Sequence, residues 1–315
     1  MISHKISVSI GLPVYNGEKY IRQALDSIIS QSYRDFELII VDNASIDKTQ
    51  QICSEFTKKD SRVKYYRNKK NIGGPANYNL SFKLASGKYF KWAAYDDVLH
   101  PEYLAKCVRV LDDDPSIVLC HSMVGCIDEN SVLVGNYDDR TLPRIGSLKA
   151  HERFGDLISL RNDCWAIHAV MRSSYLGKTP LHGSYVDADR NLLAEMGLIG
   201  RMYEVPEHLF FRRDHPDAYT RKYYSKNMVR DYRTQLVWWT GRKTKRLLVL
   251  PHWKNLLEFF ISINRVPLSW SEKLLCSREV ARWLLREKGL QRMRWDFENE
   301  IQLWRIKLHY GAHKI

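Results

Sequence analysis

Apolar positions follow two periods in the first hundred residues. Residues 6 to 12 form a short β-rich run stopped by Pro13 and Gly17, after which Tyr20, Ile21, Ala24, Leu25, Ile28 and Ile29 recur at helical spacing. A buried strand therefore feeds an amphipathic helix. Phe36 to Val41 is almost continuously apolar, as in a parallel strand covered on both faces, and it stops abruptly at Asp42, Asn43 and Ala44. Ser45 or Asp47 is placed to cap a helix over residues 47 to 58. The pattern then repeats: Val63 to Tyr66 predicts a third short strand, and the loop from Asn71 opens a helix to about Ala85. Gly87 precedes a strand from Tyr89 to Ala93, beyond which stand Asp96 and Asp97. Strands alternating with helices predict an α/β fold with a mainly parallel sheet. Open sheets of this kind bind ligands outside the carboxyl ends of their strands, which puts Asp42 and the loop from Pro13 to Asn16 on one crevice.

Four segments carry a family resemblance: PVYNGEKYI, LIIVDNASID, the N-x-G-G-x-x-N-x-N stretch from Asn71 to Asn79, and the block G-K-Y-F-x-W-x-x-x-D-D-x-x-x-P. In their order and spacing they resemble the family 2 glycosyltransferases, over roughly residues 6 to 215. The resemblance implies a GT-A fold and a mostly inverting transfer from nucleotide-diphosphate sugars. It also implies that Asp97 is the metal ligand and Asp96 the ribose contact. Tyr15 would offer a face on which the base stacks, and Asp42 an acceptor for the base's ring N–H, with the Pro13 backbone and Asn71 beside them. Two positions depart from the family: Ala94 stands where many members have a further acid, and Asn43 replaces the second acid of the usual turn. The chemistry explains the acids, because the diphosphate gains charge as the glycosidic bond breaks and a divalent ion held by carboxylates stabilises it. Hard oxygen ligands select Mn²⁺ or Mg²⁺.

An inverting transfer also needs a general base for the acceptor hydroxyl. By resemblance it falls in the segment from His182 to Pro216. There Asp187 and Asp189 precede the apolar-periodic Leu192, Leu193, Met196 and Ile199, at the start of a helix. Both are candidates, one as the catalytic base and the other as the structural cap; Asp189 is favoured as the base because it begins a D-x-x-L-x-x-x-x-G run similar to the family's helix after its base. Met202 to Val205 and Leu209 to Arg212 read as two short strands. The Arg213-Asp214-His215 element that follows resembles the family's loop over the diphosphate, implying Arg213 on phosphate and His215 in the metal shell; a surface pair between Arg213 and Asp214 is the alternative. Trp165 and His168, on the strand-like CWAIHAVM, receive no role.

Composition changes the picture in the last third. The formal net charge is +13, yet from Tyr219 onward there are 21 Lys plus Arg against 8 Asp plus Glu, and the rest of the chain is balanced at 28 of each. That third also holds seven of the nine tryptophans: Trp238, Trp239, Trp253, Trp270, Trp283, Trp295 and Trp304. The chain thus divides into a catalytic unit over 1–218 and a basic, Trp-rich helical region over 219–315, with breaks near Pro251, Pro267 and Gly289. Basic faces beside Trp and Leu suit an anionic membrane surface, where lipid-linked or other saccharide acceptors would be met; helices packed on the catalytic unit with a solvated basic face are the other reading. No apolar run is long enough to span a bilayer, and Met1 leads almost directly into the first strand, so the expected location is the cytoplasm or the inner face of the membrane. Six cysteines without metal spacing, and sequons at Asn43 and Asn79 inside the nucleotide motifs, agree with that compartment. A nucleic-acid-binding protein accounts for the basic third but leaves the Asp-Asp strand end unexplained. A nucleotidyltransferase calls for a Gly-rich basic loop, whereas the only glycine of the first turn here is followed by Glu18.

Overall fold

Strand β1 (Val8–Val14) lies between β2 (Phe36–Asp42) and β4 (Tyr89–Trp92), and β3 (Val63–Arg67) flanks β2, all four parallel. The computed structural model describes residues 6–137, 142–159, 163–218, 250–286 and 288–310. All of β1, β2 and β4 is buried, as their apolar runs require of strands covered on both faces. Helices α1 (Ile21–Ile29), α2 (Thr49–Lys59) and α3 (Gly74–Lys83) make the connections, α1 burying Ile21, Ala24, Leu25 and Ile28.

Pro13 does not stop β1, as the sequence suggested, but lies within it. The carbonyl of Val14 bonds towards β2 and that of Gly11 towards β4, whose last residue paired with β1 is Trp92 at Gly11. Pro13 shares the β4-facing phase of Gly11 and sits beyond that last pair, where a missing N–H costs no ladder bond.

The sheet continues past β4 with mixed pairing, in the order β3-β2-β1-β4-β8-β6-β9-β5, with β7 also on β6. Strand β5 (Val98–Leu99), helix α4 (Tyr103–Asp113), strands β6 (Ile117–Ile127) and β7 (Leu133–Tyr137) and helix α5 (Ala150–Ile158) come first along the chain. Strand β8 (Val170–Arg172), helices α6 (Ser173–Leu176) and α7 (Ala188–Ile199) and strand β9 (Arg201–Arg213) follow. Two expectations change here. The segment read as two strands is the single β9, parallel to β6, with register shifts around Ser122 to Val124. Pro206 and Glu207 are left out of the pairing, so the proline is absorbed by a bulge and the strand continues. The CWAIHAVM segment is a 3₁₀ turn over Trp165–His168 that enters β8, with Cys164 left-handed at φ 61°.

Helices α8 (Pro251–Arg265), α9 (Trp270–Arg286) and α10 (Gly289–Tyr310) start or end at the three expected breaks. Phe259, Cys276, Val280 and Trp283 share a core with Phe154 and Leu157 of α5 and Leu192 and Met196 of α7. Phe259 meets the rings of Phe154 and Trp283 edge-on at 6.1 and 5.4 Å. Helices α5 and α7 and the C-terminal helices thus share one core. Trp238 and Trp239 lie outside the described residues. Among the described residues no helix is long and apolar enough to cross a membrane, and none of the six cysteines is in a disulfide.

Candidate active site

The loops after β1 and β2 are laced together at the carboxyl edge of the sheet. Asn16 and Ala44 adopt left-handed backbone at φ 54° and 64°, conformations unusual for non-glycine residues and held here by side chain to backbone bonds. The Asn16 N–H donates to Ser45 Oγ at 2.9 Å, and the Ile46 N–H donates to Asn16 Oδ1 at 3.0 Å. Glu18 and Asp47 reciprocate: the Glu18 N–H reaches Asp47 Oδ2 at 3.0 Å and the Lys48 N–H reaches Glu18 Oε2 at 2.9 Å. Tyr15 stands at this edge 44% exposed, and Pro13 two residues before it is buried.

Asp42 is placed otherwise than a base acceptor requires. It is 0% exposed; Oδ1 accepts the Ser45 N–H at 2.8 Å, while Oδ2 accepts the Tyr65 hydroxyl at 2.6 Å and faces Arg67 Nε at 3.4 Å. It fixes the turn after β2. Asn43, read as the loss of an acid, ties the β2 tip to the next loop: its Nδ2 donates to Asn71 Oδ1 at 2.9 Å and its Oδ1 accepts the Ile72 N–H at 2.8 Å. Asn71 Oδ1 also accepts the Gly73 N–H, which fixes the turn into α3. Gly73 has φ 90°, a conformation that favours glycine.

The Asp-Asp turn receives the end of β9. Asp97 Oδ1 accepts the Arg213 N–H at 3.0 Å, and His215 Nε2 lies 3.0 Å from Asp96 Oδ2. Asp96, Asp97 and His215 are thereby gathered, with the imidazole against the Tyr20 ring at 4.5 Å. Arg213 is 2% exposed and engaged throughout: Nε donates to the Asp96 carbonyl, Nη1 to the Asp128 carbonyl and Ser131 Oγ, and Nη2 to Gln23 Oε1. Neither a phosphate contact nor a surface pair with Asp214 describes this guanidinium. It joins the ends of β4, β6 and β9 to α1, because a buried cation is stable only when its donors are matched. Burial first, and then the neighbouring Asp96, push Asp97 up to about 8.

Among the described residues no three His, Cys, Asp or Glu side chains converge as a ready metal cage. The donor chemistry still fits a hard divalent ion: two adjacent carboxylates whose mutual repulsion disfavours double ionisation, and a buried imidazole whose Nδ1 has no protein partner.

Asp187 and Asp189 open α7. Asp187 is left-handed at φ 62° and its side chain makes no cap, in contrast to the expected division of roles. Asp189 Oδ1 accepts the Arg190 N–H at 2.9 Å. Burial, and next the charge of Asp187, hold Asp189 up to about 6.

The Tyr78 hydroxyl feels both carboxylate groups. Burial raises its hydroxyl pKa, and Asp96, Asp97 and Asp189 all add to the shift, so the ring lies within the field of both. It meets His182 edge-on at 5.0 Å, and His182 meets Trp92 at 4.8 Å. The N-x-N spacing placed Asn77 and Asn79 on opposite sides of α3. Asn77 Nδ2 donates to the Val41 carbonyl at 2.7 Å, while Asn79 exchanges two bonds with the His182 backbone, at 2.9 and 3.0 Å. The end of β2 and the loop at His182 are thus tied to one turn of α3. Lys91 is another residue the sequence did not single out: it is buried in β4, donates to the His168 carbonyl, lies over the Tyr103 ring, and is lowered to about 7 by burial.

Comparison with known proteins agrees with this geometry. The family model described as Glycosyl transferase family 2 matches residues 9–175. An uncharacterized glycosyltransferase of Methanocaldococcus jannaschii is 34% identical over 132 residues, 41% of this chain and 46% of that protein. One of Haemophilus influenzae is 28% identical over 218 residues, 69% of this chain and 59% of that protein. The chain spans about half the length of these relatives. Among solved structures, Staphylococcus aureus TarS 1-349 in complex with UDP-GlcNAc superposes with a TM-score of 0.60 at 16% identity, over 90% of this chain and 74% of that one. The Pyrobaculum calidifontis mannosyltransferase PcManGT, in complex with GDP-Man and Mn²⁺, gives 0.51 at 16%, over 96% and 88%. These structures share the GT-A-like fold.

Proposed function

The chain belongs to glycosyl transferase family 2, a family of sugar-transferring enzymes, and we propose that it moves a sugar, with inversion, from a nucleotide-diphosphate donor to a hydroxyl of a saccharide or lipid-linked saccharide. The setting we propose is the building of a bacterial surface polysaccharide or related glycan. The observation that carries the reading is the gathering of Asp96, Asp97 and His215 beyond the end of β4, with Asp189 near enough to the same Tyr78 hydroxyl for its charge to act there. A donor sugar between that group and Asp189 would have its leaving group on one side and its acceptor on the other.

In this reading the base stacks on Tyr15, above the loop that Asp42 and Asn43 hold in shape. Asp96 faces the ribose and diphosphate side, and Asp97 with His215 would hold Mn²⁺ or Mg²⁺. When bound, such an ion supplies positive charge for the departing diphosphate. Asp189, ionised at neutral pH, takes the acceptor hydroxyl's proton as that oxygen attacks the anomeric carbon; the carbon–oxygen bond to the diphosphate breaks, and its electron pair leaves with the nucleotide. Arg213 keeps the Asp-Asp turn in place and does not touch the donor.

The test is thermal stabilisation of the protein by UDP, GDP, dTDP and CDP, with and without Mn²⁺, repeated on Asp97→Ala. A metal-dependent rise with one nucleotide, absent in the variant, is expected and identifies the donor class. No rise with any nucleotide overturns the reading.

A further inference from the structure

The turn from Trp165 to His168, to which the sequence assigned no role, is fastened to β4, α4 and β9. Its entry residue Cys164 has left-handed backbone at φ 61°, a conformation that persists in a non-glycine residue only where the surroundings fix it. The fastening is at the far end. The His168 carbonyl accepts both the Lys91 amine of β4 and, at 3.1 Å, the Tyr103 hydroxyl of α4. The His168 ring stacks on Phe210 of β9 at 5.4 Å, with 26° between the planes. Lys91 is fully buried, and a buried amine destabilises the fold unless its donors are matched, so the bond to His168 serves β4 and the turn together.

Trp165 stands on this fixed turn, partly buried, with the Arg212 guanidinium 5.0 Å from the centre of its ring. The pairing of β5 with β9 sets Val98 against Phe211, so one step further out Asp97 and Arg212 stand opposite each other. The Arg213 N–H on Asp97 keeps them there. Alternation along β9 sends Arg212 to the face opposite Arg213, whose guanidinium is occupied by the Asp96 and Asp128 carbonyls. Cys164, the neighbour of Trp165 in the chain, is close to the start of α7: burial raises its thiol and, against the opposing charge of Arg190, Asp189 and Asp187 raise it further. We propose that Trp165, with Arg212 beside its ring, is the wall against which the donor's sugar rests, and that this pair decides which sugar is transferred. An indole gives the C–H faces of a pyranose an apolar surface, and a guanidinium beside an aromatic ring keeps in-plane N–H donors for hydroxyls. The competing account is a tryptophan kept for stability alone, since Trp165 also packs on the core that holds Val8 and Leu12. The inference rests on the proposed transfer, because only a donor that carries a sugar has anything to place there.

The experiment is titration calorimetry of the full chain in Mn²⁺ with UDP, GDP, dTDP and CDP, and with the glucose, galactose, mannose and N-acetylglucosamine derivatives of whichever one binds. The parent is expected to separate the best sugar form from the worst by on the order of tenfold. Trp165→Ala should erase most of that separation and leave the affinity for the bare diphosphate unchanged. Trp165→Phe, which keeps a ring beside Arg212, should retain most of it. A ratio of affinities does not depend on how much of a variant is folded, so lost stability cannot imitate the result. A parent that does not separate the sugars overturns the inference and leaves the transferase reading standing, as does a Trp165→Ala protein that separates them as the parent does. Equal weakening of the diphosphate and all its sugar forms assigns the tryptophan to stability and also overturns it. Absence of binding by any of the four nucleotides overturns the transfer reading and the inference with it.

Discussion

At the scale of the residue, Asp189 makes the sharpest prediction. Its carboxyl is held up to about 6, and a base acts only when deprotonated, so protonation below that pH removes it. The logarithm of kcat is expected to rise with unit slope towards about pH 6 and then level. Because Asp187 is the largest charge raising that value, Asp187→Asn should move the break to lower pH, which a pH–rate profile reads directly. Asp189→Asn should lower kcat by about 10²- to 10⁴-fold while leaving nucleotide-induced thermal stabilisation intact. The residues themselves were only partly legible in the sequence. The Asp-Asp strand end and the acids at the start of α7 were visible because each follows a change of hydrophobic period. That Asp42 is filled by Ser45, Tyr65 and Arg67 was not, since those partners come from a turn and a neighbouring strand whose register no local pattern encodes. Arg213 was read as exposed for the same reason: its acceptors are mostly carbonyls, and carbonyls leave no trace in residue type.

At the scale of the element, the strands and helices up to β4 were set by periodicity, and the differences arise where one residue was given too much weight. Pro13 read as a strand stop and Pro206 falls in the gap between what read as two strands, yet each occupies a position at which the sheet asks for no N–H, one beyond the last β4 pair and one in a bulge. The end of β9 is the element on which the donor side depends. Arg213→Ala would leave the Asp96 and Asp128 carbonyls and Gln23 Oε1 buried without their donor, a loss on the order of 3 kcal/mol in unfolding free energy. A lower denaturant midpoint at unchanged slope, measured without nucleotide, is the expected result; unchanged stability together with weakened nucleotide binding would return Arg213 to a phosphate role.

At the scale of the whole molecule, helices α5 and α7 and the C-terminal helices stand or fall together. Phe259 fills the space between Phe154 and Trp283, and Phe259→Ala is expected to cost about 3–5 kcal/mol. A chain ending at Ala218 would uncover the faces of α5 and α7 that α8 and α9 now cover, and should bind a hydrophobic dye strongly where the full chain does not. The split of charge at residue 219 was plain in the sequence, whereas this shared core was not, because apolar periodicity shows which face of a helix is buried and never against what.

The contacts of Arg213 also bear on how such a site is inherited. The backbone orientation of the Asp-Asp turn is set from residues 211–215, more than a hundred positions away, through the Arg213 N–H on Asp97 and its Nε on the Asp96 carbonyl. The two segments therefore form one module in space that is split along the chain. An engineer who transplants Asp96 and Asp97 to another sheet without the tail of β9 carries over the carboxylates and leaves behind the part that aims them; recombination between relatives will meet the same boundary.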